Sequence, residues 1–177
     1  MKLTPGHYAS AHLRALYAID ERDERQIRRW TANALNCASQ LRPGMPIFFA
    51  SDSDKAAAYA KTYGLDNSGR VETHTPIPNP PLHLDRCRDW QKHPISDFYD
   101  TFVDLYLLAL GGCVTFNKGG YGHWGLLIGG DPNCFIDQQT RDGGSFGEKC
   151  KWQSGGEGPV DQPPKAATTS LFVEPMD

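Results

Sequence analysis

A chain of 177 residues that is 39% hydrophobic and 22% charged has the length of one ordinary domain and enough apolar material for a substantial core. Its formal charge of -3 and isoelectric point near 6.0 exclude a global electrostatic attraction to nucleic acid or to an anionic membrane. The longest apolar stretch, Leu105 to Leu110, is far too short to span a bilayer, so any phosphate or partner site has to be local.

The first residues, Met1 to Gly6, are followed by His7, His12 and Arg14 rather than by an apolar run of signal-peptide length. As written the chain reads as cytosolic, and as secretory or Golgi-resident only if an anchor precedes Met1. Tyr8 to Tyr17 reads as a short strand that leaves Arg14 near its carboxyl end. Glu24 to Leu41 then sets Ile27, Trp30, Ala34, Leu35, Ala38 and Leu41 on one helical face, with Arg28 and Arg29 turned to water. The basic cluster of Arg22, Arg25, Arg28 and Arg29 is interleaved with acids, as a solvated face would be.

Pro46 to Ala50 is a continuous apolar run, the pattern of a strand buried on both sides. Ser51-Asp52-Ser53-Asp54 supplies a cap for a helix over Lys55 to Tyr63 that Gly64 closes, with Asp52 the expected capping residue. Val71 to Thr75 is the next expected strand, and four prolines between Pro76 and Pro81 impose an extended connection. Asp97 to Gly112 carries Phe98, Phe102, Leu105, Leu108 and Ala109 at helical spacing, and Cys113 to Phe116 follows as a fourth strand. A short helix from His123 to Ile128 and an edge strand at Cys134 to Ile136 complete the expected order. Strands alternating with helices imply an α/β fold with a parallel, doubly wound, Rossmann-like sheet over residues 1–141. From residue 142 to 177 glycine, proline and polar residues dominate, and an irregular, weakly ordered tail is expected.

The five cysteines stand singly, with no C-x-x-C pair. Cys113 and Cys134 read as small core residues, and a Cys134–Cys150 bridge is the alternative if the chain matures in an oxidising compartment. His74, His83 and His93 with Asp85 match no usual metal-ligand spacing, and no metal or other cofactor is expected.

Gly120-x-Gly122-x-x-Gly125 has the spacing of a dinucleotide fingerprint, and a nicotinamide- or flavin-dependent oxidoreductase is one reading. It follows the fourth strand rather than the first, and the acid downstream, Asp142, lies among glycines. A second reading joins three places that would open onto one crevice of such a sheet. These are His12-Leu13-Arg14, Ala50-Ser51-Asp52-Ser53, and the stretch from Asp104 to Gly125, where Gly119, Gly120, Tyr121 and Gly122 bring bare N–H groups to a helix N-terminus.

On these residues the chain resembles the C-terminal, donor-binding half of the GDP-fucose-dependent fucosyltransferase superfamily, which includes the α-1,6-fucosyltransferases and the protein O-fucosyltransferases. His12-Leu13-Arg14 is similar to that family's H-x-R motif, and Phe48 to Ser53 to its strand ending in a Thr/Ser-Asp pair. Phe102 to Leu108 is similar to its helix bearing a single acid, and Gly119 to Trp124 stands in the place of its serine-rich turn. The likeness covers roughly residues 8–136, about three quarters of the chain. It implies one half of a GT-B fold and transfer of a sugar, with inversion, from GDP-fucose or a related donor to a glycan or protein acceptor, without a metal. Arg14 would be the catalytic contact to the diphosphate, Asp104 would meet the base, and His12, Ser51, Asp52 and Gly119 to Gly122 would line the donor site. Ala15-Leu16-Tyr17 follows the arginine where the family carries polar residues, and glycines replace the serines of the turn, which leaves a non-catalytic binding module as the alternative. Without the likeness, Asp104 is equally suited to a structural pair with Arg86 or Arg88, Tyr121 to covering a sheet edge, and His12 to a neutral core position.

Overall fold

The computed structural model describes residues 3–16, 23–66, 70–73, 90–129, 131–139 and 146–152. Its elements in chain order are β1 (Tyr8–Leu13), α1 (Glu24–Leu41), β2 (Ile47–Ser51), α2 (Asp54–Asp66), β3 (Val71–Glu72), two short 3-10 turns (Trp90–Lys92 and Ile95–Phe98), α3 (Tyr99–Leu110), β4 (Gly112–Phe116), α4 (Gly120–Gly129), β5 (Phe135–Gln139) and β6 (Phe146–Trp152). The sheet order is β3-β2-β1-β4-β5-β6, with β1 to β5 all parallel and β6 antiparallel to β5. This is the α/β, Rossmann-like, doubly wound arrangement that the alternation of elements implies.

The layers follow from the two-residue period of the strands. On one face Ala9, Ala11 and Leu13 of β1, Ile47 and Phe49 of β2, Cys113 of β4 and Ile136 of β5 meet the buried stripe of α1, formed by Ile27, Trp30, Ala34, Leu35, Ala38 and Leu41. On the other face Tyr8, Phe48 and Ala50 pack with Leu108 of α3, and Val114 and Phe116 pack with Leu126 of α4. Every residue of β1 is buried, as befits the central strand. Helix α1 starts where its sequence says it should: the Asp23 carboxylate accepts from the Gln26 N–H at 3.1 Å, and Glu24 adds an acid to the first turn.

Several details differ from expectation: β1 ends at Leu13 rather than reaching Tyr17, and α4 begins at Gly120 rather than at His123. Helix α2 does not stop at Gly64 but runs to Asp66. Ser53, not Asp52, caps it, the Ser53 hydroxyl accepting from the Ala56 N–H at 3.3 Å while the Ser53 carbonyl takes the Ala57 N–H. The tail contributes one ordered element, since β6 pairs with β5 from Ile136 opposite Trp152 to Gln139 opposite Phe146, so that β5 is not an edge. Finally, the cysteines are bridged differently: Cys113–Cys134 joins the beginnings of β4 and β5, and Cys37–Cys150 ties α1 to β6. Cys87 lies outside the described residues, as do Arg86, Arg88, His74, His83, Asp85 and the tail from residue 153.

Candidate functional site

The order of the sheet reverses at β1. The chain winds from β1 outward to β2 and β3, then returns to the other side of β1 as β4, so the carboxyl ends of β1 and β4 flank the crevice where ligands of open α/β sheets bind. Arg14 is the first residue beyond β1, and Asn117 the first beyond β4. The Arg14 N–H donates to Asn117 Oδ1 at 2.7 Å and the Asn117 amide returns a bond to the Arg14 carbonyl at 3.1 Å. With its buried side chain Asn117 therefore extends the β1–β4 ladder by one residue.

The opposite side of the same turn is held by β2. Ser51 donates its hydroxyl to the Leu13 carbonyl at 2.8 Å, and Asp52 accepts the N–H groups of Ala15 and Leu16 through Oδ1 at 2.6 and 3.2 Å. Asp52 thus works as a clamp on the β1 turn. Locked from both neighbours, Arg14 has a fixed backbone and sends its side chain across Gly119: a Cβ placed on that glycine would lie 2.9 Å from Arg14 Nη1 and 3.1 Å from its Cδ. Gly119 also has φ of +108°, a conformation L side chains rarely adopt, so both the turn and the close approach require glycine there.

Helix α4 opens directly after, at Gly120, so its N-terminal turn begins beside the glycine that the Arg14 side chain crosses. Exposed Lys118 lies next to Gly119 in the same turn. The Arg14 guanidinium beside the start of a helix, with Lys118 in the adjoining turn, is an arrangement suited to an anion.

The remaining predicted residues are spread over β1, α4 and α3. His12 is buried, with its ring 5.0 Å from that of Tyr121, and its carbonyl accepts from the Gln138 amide at 3.3 Å. Tyr121 points between α3 and α4 and donates its hydroxyl to the Thr101 carbonyl, so its ring is engaged inside the fold rather than offered as a stacking platform. Burial and the neighbouring Asp104 push its phenol upward. Asp104, on the face of α3 toward Tyr121, has one carboxylate oxygen that is buried and without a hydrogen-bond partner among the described residues. Burial, with Asp100 one turn away, raises its carboxyl from 3.8 to about 8.

The glycines of the G-x-G-x-x-G segment have a packing role. A Cβ on Gly122 would sit 2.4 Å from Phe116 Cβ and 3.2 Å from His12 Cβ, and one on Gly125 would sit 2.9 Å from Leu108 Cβ. Gly122 lets α4 lie on the ends of β1 and β4; Gly125 lets it lie on α3. The Gly122→Ala variant is expected to lose about 1–3 kcal/mol of stability through overpacking, measured by urea unfolding; an unchanged midpoint would show that α4 can shift freely.

Sequence reasoning missed Asn117, although its position directly after a strand and two residues before a glycine is the signal. It also missed Gln138, fully buried on β5 and bonded to the His12 carbonyl and to Thr115 Oγ1. Of the histidines read against a metal site, His93 is described, and it pairs with Asp97 Oδ2 at 3.3 Å. Among the described residues no group of three His, Cys, Asp or Glu side chains is placed to hold a metal ion, and no helix is long and apolar enough to cross a membrane. No protein-family model, no curated protein and no solved structure matches this chain.

Proposed function

We propose that this domain binds a nucleoside-diphosphate sugar in the crevice between β1 and β4, and that it is the donor half of a GT-B glycosyltransferase of the fucosyltransferase type, with GDP-fucose or a related molecule as donor. The observation that carries this reading is the placement of Arg14. Its main chain is held by Asn117 and Asp52, and its side chain crosses Gly119 at the start of α4.

Departure of a nucleoside diphosphate from a sugar concentrates negative charge on the leaving oxygen. A preorganised guanidinium and helix-terminal N–H groups stabilise that charge as it develops, and an arginine fork binds two phosphate oxygens at once. Asp104 would meet the base, its buried oxygen serving as a hydrogen-bonding group within reach of the α3–α4 seam. Ser51 and Asp52 contribute by holding the β1 turn. Transfer to a glycan or protein acceptor would invert the anomeric carbon. Two disulfides support a secretory setting for the chain, because such bridges persist in oxidising compartments.

A binding module without transfer is favoured by one observation: His12 is buried beneath α4, and Tyr121, in the first turn of α4, is turned to the Thr101 carbonyl of α3, so neither is placed as a base in the crevice. The oxidoreductase reading is weaker, because Gly122 approaches Phe116 where the dinucleotide fingerprint needs a glycine approaching a pyrophosphate.

Calorimetric titration with GDP, GDP-fucose, UDP and NAD tests these readings. GDP is expected to bind in the micromolar range, and Arg14→Ala to weaken it by about tenfold or more, equivalent to about 1.5–3 kcal/mol for a charged contact. Release of GDP from GDP-fucose separates a transferase from a binding module. Absence of binding by any nucleotide would overturn the proposal, and preference for NAD would replace it.

A further inference from the structure

The outer surface of the α3–α4 layer is apolar. On α3 the side chains of Tyr99, Phe102, Val103 and Tyr106 recur at three- and four-residue spacing and are exposed, Tyr106 at 62%. On α4 the same spacing brings out Trp124, Leu127 and Ile128, the first two at 60%. Because Tyr121 bonds the Thr101 carbonyl and Gly125 and Gly129 abut Leu108 and Ala109, the two helices lie against each other and their outward stripes run side by side.

These seven large apolar residues, each 40–62% exposed, together present several hundred Å², comparable with or above the largest patch of about 300–600 Å² on a typical monomer, where such patches are often functional. A standard interface buries about 800 Å² on each partner, with Tyr, Trp and Phe enriched and charges depleted at its core. We infer that the α3–α4 face is a homodimer interface, in which two copies of this chain pack their helix pairs across a two-fold axis.

The charge pattern selects that occupant. Helix α4 contains no charged residue, and α3 contains only Asp100 and Asp104, neither of them exposed. Neither helix offers the lysines or arginines that attract an interfacial helix to anionic lipid, nor a counter-charge for an acidic or basic peptide. A second copy brings a surface of matching apolar character and equal area, with no like charges opposed, and helix pairs of this kind pack ridge into groove across a symmetry axis.

Sedimentation velocity over a concentration series tests the inference. The wild-type chain is expected to be dimeric with a dissociation constant of about 10 μM or below, and Tyr106→Glu/Leu127→Glu to raise that constant by at least about tenfold with an unchanged circular dichroism spectrum. If the charged variant loses its fold, Tyr106→Ser/Leu127→Ser serves the same purpose. A wild-type chain that sediments as a monomer at about 100 μM would overturn the proposal and assign the face to another segment or a different partner. So would a dimer that either folded variant leaves intact, since the contact would then lie elsewhere.

Discussion

Cys37→Ala/Cys150→Ala is expected to lower the stability of the chain by about 2–5 kcal/mol in urea unfolding under oxidising conditions. The bridge closes 113 residues of sequence separation, a long loop whose freedom in the unfolded chain it removes. It also fastens β6, an antiparallel strand whose ladder to β5 is interrupted between Asp137 and Gln139, to the buried stripe of α1. Loss should therefore show as faster amide exchange in β6 and at its β5 partners before the centre of the sheet is affected. A variant within about 0.5 kcal/mol of wild type would mean that β6 contributes little to the cooperative unit.

The second large effect is electrostatic. Asp104 is raised from 3.8 to about 8, chiefly because burial disfavours the carboxylate and secondarily because Asp100 is near. The folded chain holds this proton more tightly than the unfolded one. Its stabilising contribution is complete below about pH 4 and is lost as the pH rises through about 8. Asp104→Asn, which keeps the shape and removes the titration, is expected to unfold with nearly the wild-type free energy at low pH and to exceed it by about 2–4 kcal/mol near pH 9. That range is smaller than the full shift implies, since water and local relaxation ease the cost of a buried charge. A stability difference independent of pH between 5 and 9 would show that Asp104 is ionised throughout. If Asp104 also meets the base, the same variant should bind GDP more weakly while being the more stable protein at high pH.

Much of the fold can be read from the chain because its signals are local. Glu24–Leu41 has a helical stripe with an acid-capped start, and the apolar run at Ile47 to Ala50 can only be a strand covered on both faces. The switch-point crevice is legible as well, since it follows from element order alone. What escapes is set by neighbours distant in sequence. Asn117 and Arg14 are 103 residues apart and meet only because β4 lies beside β1. The choice of Cys113 rather than Cys150 as the partner of Cys134 depends on the same sheet order, which places β4 next to β5. Ser51, Asp52 and Ser53 are all plausible caps in sequence; the turn after β1 takes Asp52 and leaves the helix to Ser53. The edge strand at Phe146–Trp152 is hidden between glycine pairs that suggest a tail.

Both disulfides lie on the α1 side of the sheet. Cys37 belongs to α1, and the core that Cys113 and Cys134 enter is the one α1 covers. Among the described residues the opposite layer is joined to the sheet by packing of Leu108 and Leu126, by close approach of Gly122, and by bonds from Tyr8 and Ser10 to the Leu107 carbonyl, with no disulfide. The two faces of the sheet are therefore held differently, one with disulfides and one by packing and hydrogen bonds alone. Arg14 leaves the end of β1 and the first turn of α4 belongs to the layer without disulfides, so a ligand held by both would add its binding free energy to the contacts that keep that layer on the sheet.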